Sequence, residues 1–474
     1  MASLLFLIPL FLLLLLNLPI KKVMRASAFW LAFFFLVFQL VSSLFPRIIL
    51  AEPALRGFSS IFNFSFTVDA LTRMLLLSIG IVSFSVLILL RGVSTNLEKR
   101  FNYINVLLIA VAGMNGIVLV KDIFSLYVFL EVTAVSTFIL ISFKKHKVNL
   151  EGALKYLVFS SVATIMMLAS IALTILFTGD TSFASIHNAI AINHANPLMQ
   201  FVIALYICGF MIKSGLFPFH GWLPDAYMAA PDTASILLAG IVTKAVGVYP
   251  LIRLVYSVIG FSGPIKDVLL FFGALSAVAG AFAALTQTDM KRMLAYSSIS
   301  QVGYIILSFG CGTILGMAAS IFHFFNHSIF KSILFANAAA VYDKTSTYDM
   351  DELGGLAQKM PVTGITSALA CLSVSGIPPL SGFWSKVMIV IALWMSGNRF
   401  YAVIAVLTSI VTLAYMLTLQ RKIFFGNTVK GLENISEAAI GIILPAVFLT
   451  VIMIIISLAF PLFIGTYLIP TGGM

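Results

Sequence analysis

The sequence predicts an all-α polytopic membrane protein, with about fourteen transmembrane helices and two inverted five-helix repeats, each containing a broken helix. Three observations predict it. The 474-residue chain is 61% hydrophobic and 9% charged, with a mean hydropathy of +1.10; a soluble domain carries about 25% charged residues. Apolar runs long enough to cross a hydrocarbon core of about 30 Å recur from end to end. Twice, such a run is interrupted by glycine and proline beside a lysine. A membrane barrel would instead show alternating segments of about 10 residues.

In chain order the spans fall at roughly 3–20, 27–46, 67–91, 101–120, 123–143, 151–178, 198–229, 232–258, 266–287, 293–310, 312–342, 361–397, 400–420 and 438–466. The opening run, "MASLLFLIPLFLLLLLNLPIKK", reads as a first span. Its positive charges follow the apolar stretch, whereas a signal peptide has them in front. The longest loops outside the membrane are 47–66 and 179–197. Grouping the spans gives N-terminal helices 1–3 over 1–100, a first five-helix repeat over 101–260, a second over 261–425, and a last helix over 426–474.

Alternating the loops between the two sides puts 16 of the basic residues on one side and 5 on the other. Lysine and arginine accumulate on the cytoplasmic side. Both termini are therefore expected outside, in the cell's inner (cytoplasmic) membrane. The net charge of +11 follows from these loops and does not point to nucleic acid. The three cysteines (Cys208, Cys311, Cys371) are scattered, and no iron–sulfur, haem or zinc pattern is present, so no cofactor is expected in this chain.

The broken spans share a pattern. "SGLFPFHGW" from Ser214 resembles "SGIPPLSGF" from Ser375, 161 residues further on. Lys213 precedes the first break and Lys386 follows the second. Matched interruptions in two halves point to an inverted repeat. Backbone groups freed at a break must be buried in protein or line a wet cavity. Lys213 lies at the carbonyl end of one half-helix. Lys386 opens another, where the helix dipole is expected to act against a cation.

Ionisable residues inside spans are functional candidates by default. Glu131 sits mid-span with no charged neighbour in its own helix, and Lys213 is its natural partner. Lys244 follows. His323, His327 and Lys331 are spaced four and four, so they share one helix face. The two histidines also fit a metal pair, but no third ligand is apparent, and a proton wire is better motivated. Lys386 would close the line. His220, Asp69 and Lys155 are candidates for proton uptake or support. Arg73, Arg253 and Lys155 could instead snorkel to an interface.

The segments "EGALKYLVFSS", "KSGLFPFHGWLPDAY", "TKAVGVYPLIR", "DMKRMLAYSSISQVGY", "HFFNHSIFKSILF" and "SGIPPLSGFWSK" resemble the antiporter-like membrane subunits of complex I, Mrp sodium/proton antiporters and membrane-bound hydrogenases. "YVFLEV" and "TKAVGVY" look most like the Mrp D-subunit and hydrogenase-associated branch. One departure is "APDTASILL", where the family usually has a proline at the place of Thr233. The resemblance implies a proton relay through Glu131, Lys213, Lys244, His323, His327, Lys331 and Lys386. It further implies homologous antiporter-like and small membrane subunits as partners, and protons or sodium as the moving ion. In redox members a peripheral arm with iron–sulfur or nickel–iron subunits supplies the energy. The alternative is a proton-pumping subunit of a complex I NADH:quinone oxidoreductase. A self-sufficient secondary transporter fits the repeat but not the line of lysines and histidines.

Overall fold

A computed structural model of the chain describes residues 3–18, 21–45 and 68–463. It is all-helical: α1 (Leu4–Leu16), α2 (Lys21–Leu44), α3 (Ala70–Val93), α4 (Leu97–Leu119), α5 (Ile123–Ile141), α6 (Lys147–Thr178), α7 (Phe183–Asn193), α8 (Pro197–Ser214), α9 (Trp222–Ala229) and α10 (Asp232–Ile259) come first. Then come α11 (Gly263–Leu285), α12 (Met290–Phe309), α13 (Ile314–Thr345), α14 (Pro361–Ser375), α15 (Ser381–Met395), α16 (Arg399–Ile423), α17 (Ile440–Leu458) and α18 (Phe460–Phe463). Among the described residues, 10 helices are long and apolar enough to cross a membrane. α1, α14 and α15 are apolar but shorter. The predicted loop 47–66 and both termini lie outside the described residues.

Polar residues at the expected places start and stop these helices. Asp69, Asp122 and Asp289 each accept a backbone N–H three residues on, at 2.8, 2.6 and 2.8 Å. Gly215 and Gly376 end α8 and α14 in the left-handed region, at φ 66° and 83°. α7 occupies what the sequence suggested was a loop. Ser182 caps it, and Phe183, Ile186, Ala189 and Ile190 bury its apolar face.

Two short backbone pairings repeat at one spacing. Asp122 pairs with Ser182 and Asp289 pairs with Asp349, each through two antiparallel N–H···O bonds of 2.9–3.0 Å. In both, the first partner is a helix-capping aspartate.

The core sits around α10 and α13, while α6 lies at the rim with a largely exposed apolar face. α11 and α12 pack backbone to backbone: a Cβ on Gly273 would lie 2.6 Å from Leu307 N, and one on Gly280 2.6 Å from Ser300 N. Such small-residue seams are how apolar helices approach closely in a membrane. α10 is not a plain α-helix. Leu238–Val242, Lys244–Val248 and Val255–Ile259 are π-helical, a feature that often accompanies functional sites.

Candidate functional site

The site begins where α8 stops. The last carbonyls of α8 and the backbone groups between Gly215 and Gly221 are outside the helical ladder and need new partners. Trp222 Nε1 donates to Ile212 O at 3.0 Å, and Phe217 N donates to Ser276 Oγ at 3.0 Å. The second bond comes from α11. Lys213, in the last turn of α8, has a side chain only 2% exposed. Its ammonium donates to Glu131 Oε1 at 3.3 Å and to Ser160 Oγ at 3.2 Å. Thr164 donates to the same Glu131 oxygen at 2.5 Å. The carbonyl end of α8 adds partial negative charge beside the ammonium. A small cavity lined by Tyr156, Ser160, Ile212, Lys213, Trp222 and Val246 adjoins the pair. The predicted partnership of Glu131 and Lys213 is therefore present in the geometry.

The other lysines and the two imidazoles of the predicted line are also buried. Lys244 donates to Ala239 O and, at 2.8 Å, to Gly240 O. These are carbonyls five and four residues back along α10, in the preceding π-helical segment. Lys331 donates to Leu294 O at 3.0 Å and to Ser297 Oγ. Lys386 reaches Ser375 O at 3.5 Å and lies 4.9 Å from the centre of the Tyr304 ring. Among the described residues, the hydrogen-bond partners of these three lysines are carbonyl and hydroxyl oxygens. All three are at most 6% exposed.

The histidines differ. His323 Nδ1 lies 2.9 Å from Ser385 Oγ, and Nε2 lies 3.1 Å from Gln301 Oε1. His327 packs against Phe330 and has no hydrogen-bond partner at either ring nitrogen among the described residues. Buried imidazole nitrogens of this kind call for water or a transient donor.

The dipole expectation for Lys386 is corrected. Helical side chains lean toward the helix N-terminus. The Lys386 stem therefore runs back across the break and sets its ammonium at the carbonyl end of α14, not over the amide end of α15. Both break lysines thus meet a half-helix C-terminus.

The three supporting candidates lie apart from this line. Asp69 holds Arg253 through two bonds, Nη1–Oδ2 at 2.5 Å and Nη2–Oδ1 at 2.9 Å. Thr72 and the Tyr249 hydroxyl complete the guanidinium's partners. Arg253 is thus paired in the interior and does not snorkel. Lys155 is 44% exposed and pairs with Asp225 at 2.8 Å and Glu151 at 3.1 Å. His220, inside the break, stacks on Phe217 at 4.9 Å.

Sequence reasoning missed a second buried ion pair. Lys291 reads as part of a basic loop, yet its side chain is 2% exposed and it lies 2.8 Å from Asp232. It also donates to Ala230 O at 3.0 Å, and Tyr348 donates to Asp232 Oδ1 at 2.5 Å. A signal was available: Asp232 is a lone carboxylate at the head of a long apolar run. Gln301, Ser160 and Thr164 were also missed, because lone hydroxyls and amides in helices carry no pattern.

With the geometry in place, comparison with known proteins identifies the chain's relatives. The family described as NADH:quinone oxidoreductase/Mrp antiporter, transmembrane, matches residues 120–412. The D-subunit of the Na(+)/H(+) antiporter of Alkalihalophilus pseudofirmus is 31% identical over 77% of this chain and 74% of its own length. The N-subunit of the F(420)H(2) dehydrogenase of Methanosarcina mazei is 32% identical over 78% of each. A chain of the membrane-bound sulfane sulfur reductase, an archaeal respiratory membrane complex, superposes with a TM-score of 0.85 at 28% identity, covering 98% of this chain and 96% of that one. The chain belongs to the NADH:quinone oxidoreductase/Mrp antiporter family of transmembrane subunits.

Proposed function

We propose that the chain is an antiporter-like, ion-translocating subunit of a multisubunit membrane complex of the Mrp or membrane-bound hydrogenase type. It moves protons, or sodium against protons, along Glu131, Lys213, Lys244, His323, His327, Lys331 and Lys386. One observation carries this reading. Of the line's four buried lysines the first pairs with a carboxylate, Glu131, and among the described residues the other three bond only to carbonyls and hydroxyls. Ionisable side chains without a charged partner are costly in a membrane interior and mark ion pathways. Protonation passing from one site to the next, with the Glu131–Lys213 pair opening and closing, is the use that fits.

The same reading includes fourteen spans in two inverted five-helix repeats, 101–260 and 261–425, between helices 1–3 (1–100) and a last helix (426–474). The matched breaks and the two equivalent aspartate-led backbone pairings support the repeat. The loop charges support termini on the outer side of an inner membrane. Homologous and small membrane subunits are the partners expected. A dehydrogenase subunit among the relatives favours a second arrangement, in which a peripheral redox arm drives the same relay.

Two measurements test the proposal. Identifying the chains that copurify with the native complex separates an Mrp-type assembly from a redox-driven one. Lys213→Ala in the assembled complex, reconstituted into vesicles, is expected to abolish coupled ion movement. Unchanged movement would refute the relay.

A further inference from the structure

α14 carries a polar stripe that the relay does not use. Thr363, Ser367, Cys371 and Ser375 are spaced four apart, so they stack on one face. Twelve residues of helix span about 18 Å, and all four residues are at most 5% exposed. Both ends of the stripe are anchored to ionisable groups. At the surface end, Thr363 donates to Glu437 Oε1 at 2.6 Å, and the other Glu437 oxygen accepts Val362 N at 2.8 Å. At the inner end, Lys386 reaches Ser375 O at 3.5 Å.

One buried amide aims into the stripe with an atom left over, and a second lies against Thr366, beside the stripe on the same helix. Gln420 Nε2 donates to Ser367 Oγ at 2.7 Å and contacts Cys371 Sγ at 3.2 Å, while its Oε1 has no partner among the described residues. Asn337 Oδ1 accepts from Thr366 at 3.0 Å, while its Nδ2 has no partner among them. Gln420 is 4% exposed and Asn337 1%. A buried acceptor and a buried donor, each unsatisfied and each beside hydroxyls, are the polar surroundings that hold internal water. The other half-helix has no such face: 161 residues earlier, the matching positions are Val202, Tyr206, Phe210 and Ser214.

We propose that this face of α14 is the wall of a water file connecting the protein surface at Glu437 with Lys386. It gives the second half of the relay its own access to the side on which Glu437 lies, an access the first half does not duplicate. The inference rests on the proton-relay reading above. In the inward step, the Glu437 carboxylate takes a proton from bulk water and releases it to the first water of the file. Each water and hydroxyl then accepts one proton and gives up another. The last water donates to the neutral Lys386 amine. The outward step is the reverse.

The test uses the complete complex. High-resolution imaging is expected to show ordered water bonded to Gln420 Oε1 and continuing along Ser367, Cys371 and Ser375. In reconstituted vesicles, Gln420→Leu is expected to slow proton movement by about tenfold or more, with Gln420→Glu restoring most of it. A dry stripe, or a Gln420→Leu rate within about twofold of the unaltered complex, overturns the file. Where Gln420→Leu fails to assemble, the water density of the unaltered complex decides. Lys213→Ala separates the two ideas. If it leaves transport intact, the relay itself fails; if it blocks transport while the stripe is dry, only the file fails.

Discussion

Glu131→Gln keeps the shape of the carboxylate and removes its charge, which makes it a sharp probe of the first pair. At 3.3 Å and an effective dielectric constant of about 20, the Coulomb attraction to Lys213 is about 5 kcal/mol. Glu131 is 34% exposed, so solvent screening brings the figure to about 2–3 kcal/mol. The introduced amide would still accept from Thr164 and from the ammonium, so the loss is electrostatic. If the pair governs a proton-transfer step, that step slows by about 30- to 150-fold. The assay is proton movement by the reconstituted complex, read with a pH-sensitive dye inside the vesicles. Thr164→Val is the matched control. It removes one hydrogen bond to Glu131 while keeping the charge, worth about 1 kcal/mol and about fivefold. Glu131→Gln within about twofold of the unaltered rate, or Thr164→Val more damaging than Glu131→Gln, would refute the reasoning.

Gly247→Ala tests the packing behind Lys213. A Cβ there would lie 2.6 Å from the Lys213 carbonyl carbon, so α10 or the end of α8 must shift. Transport is expected to fall although no charge has changed, and normal transport would show that the pair tolerates displacement. Asp69→Ala leaves a buried guanidinium without its bidentate partner, at a cost of about 3 kcal/mol or more. The complex should melt at a lower temperature in detergent; an unchanged midpoint would mean that Thr72 and Tyr249 suffice for Arg253. Asp232→Ala strands Lys291 in the same way, whereas Asp232→Asn keeps an acceptor for Tyr348. Assembly yield should therefore rank the unaltered chain above Asn and Asn above Ala; Asn equal to the unaltered chain would remove the charge from the account, and Asn equal to Ala would remove the Tyr348 bond.

The helices and the first ion pair were legible because their signals are strong and local. Long apolar runs declare spans, and a lone mid-span carboxylate such as Glu131 leaves few places for its partner. Other features depend on contacts between distant segments. Arg253 resembles an interface anchor because it lies near the end of its span; only the fold brings Asp69 to it. Lys291 sits in "DMKRM", which reads as a basic loop until Asp232 arrives from α10. The π-helical widening of α10 leaves no mark in composition, although Gly240 and Gly247 stand where neighbouring segments press closest. Lys386 departs from expectation for a simpler reason: the dipole argument follows the backbone position, whereas the ammonium sits about one side chain's length away.

Lys291 and Ser276 bind at one place in the molecule, the first break. The first break is held at both ends by the helices that follow α10. At the start, Ser276 of α11 satisfies Phe217 N. At the finish, Lys291 of α12 holds Ala230 O, just beyond α9, and also binds Asp232 at the head of α10. A half-helix with freed backbone groups can sit in a membrane only while those groups are satisfied. Any displacement of α9 that moves the surroundings of Lys213 must therefore lengthen or replace bonds made by α11 and α12. α12 also carries Leu294, Ser297 and Gln301, which hold Lys331 and His323. The helix that secures the first break thus supplies the partners of the central relay groups. A contiguous hydrogen-bonded element shared by two sites is the kind of structure through which their states can be coupled.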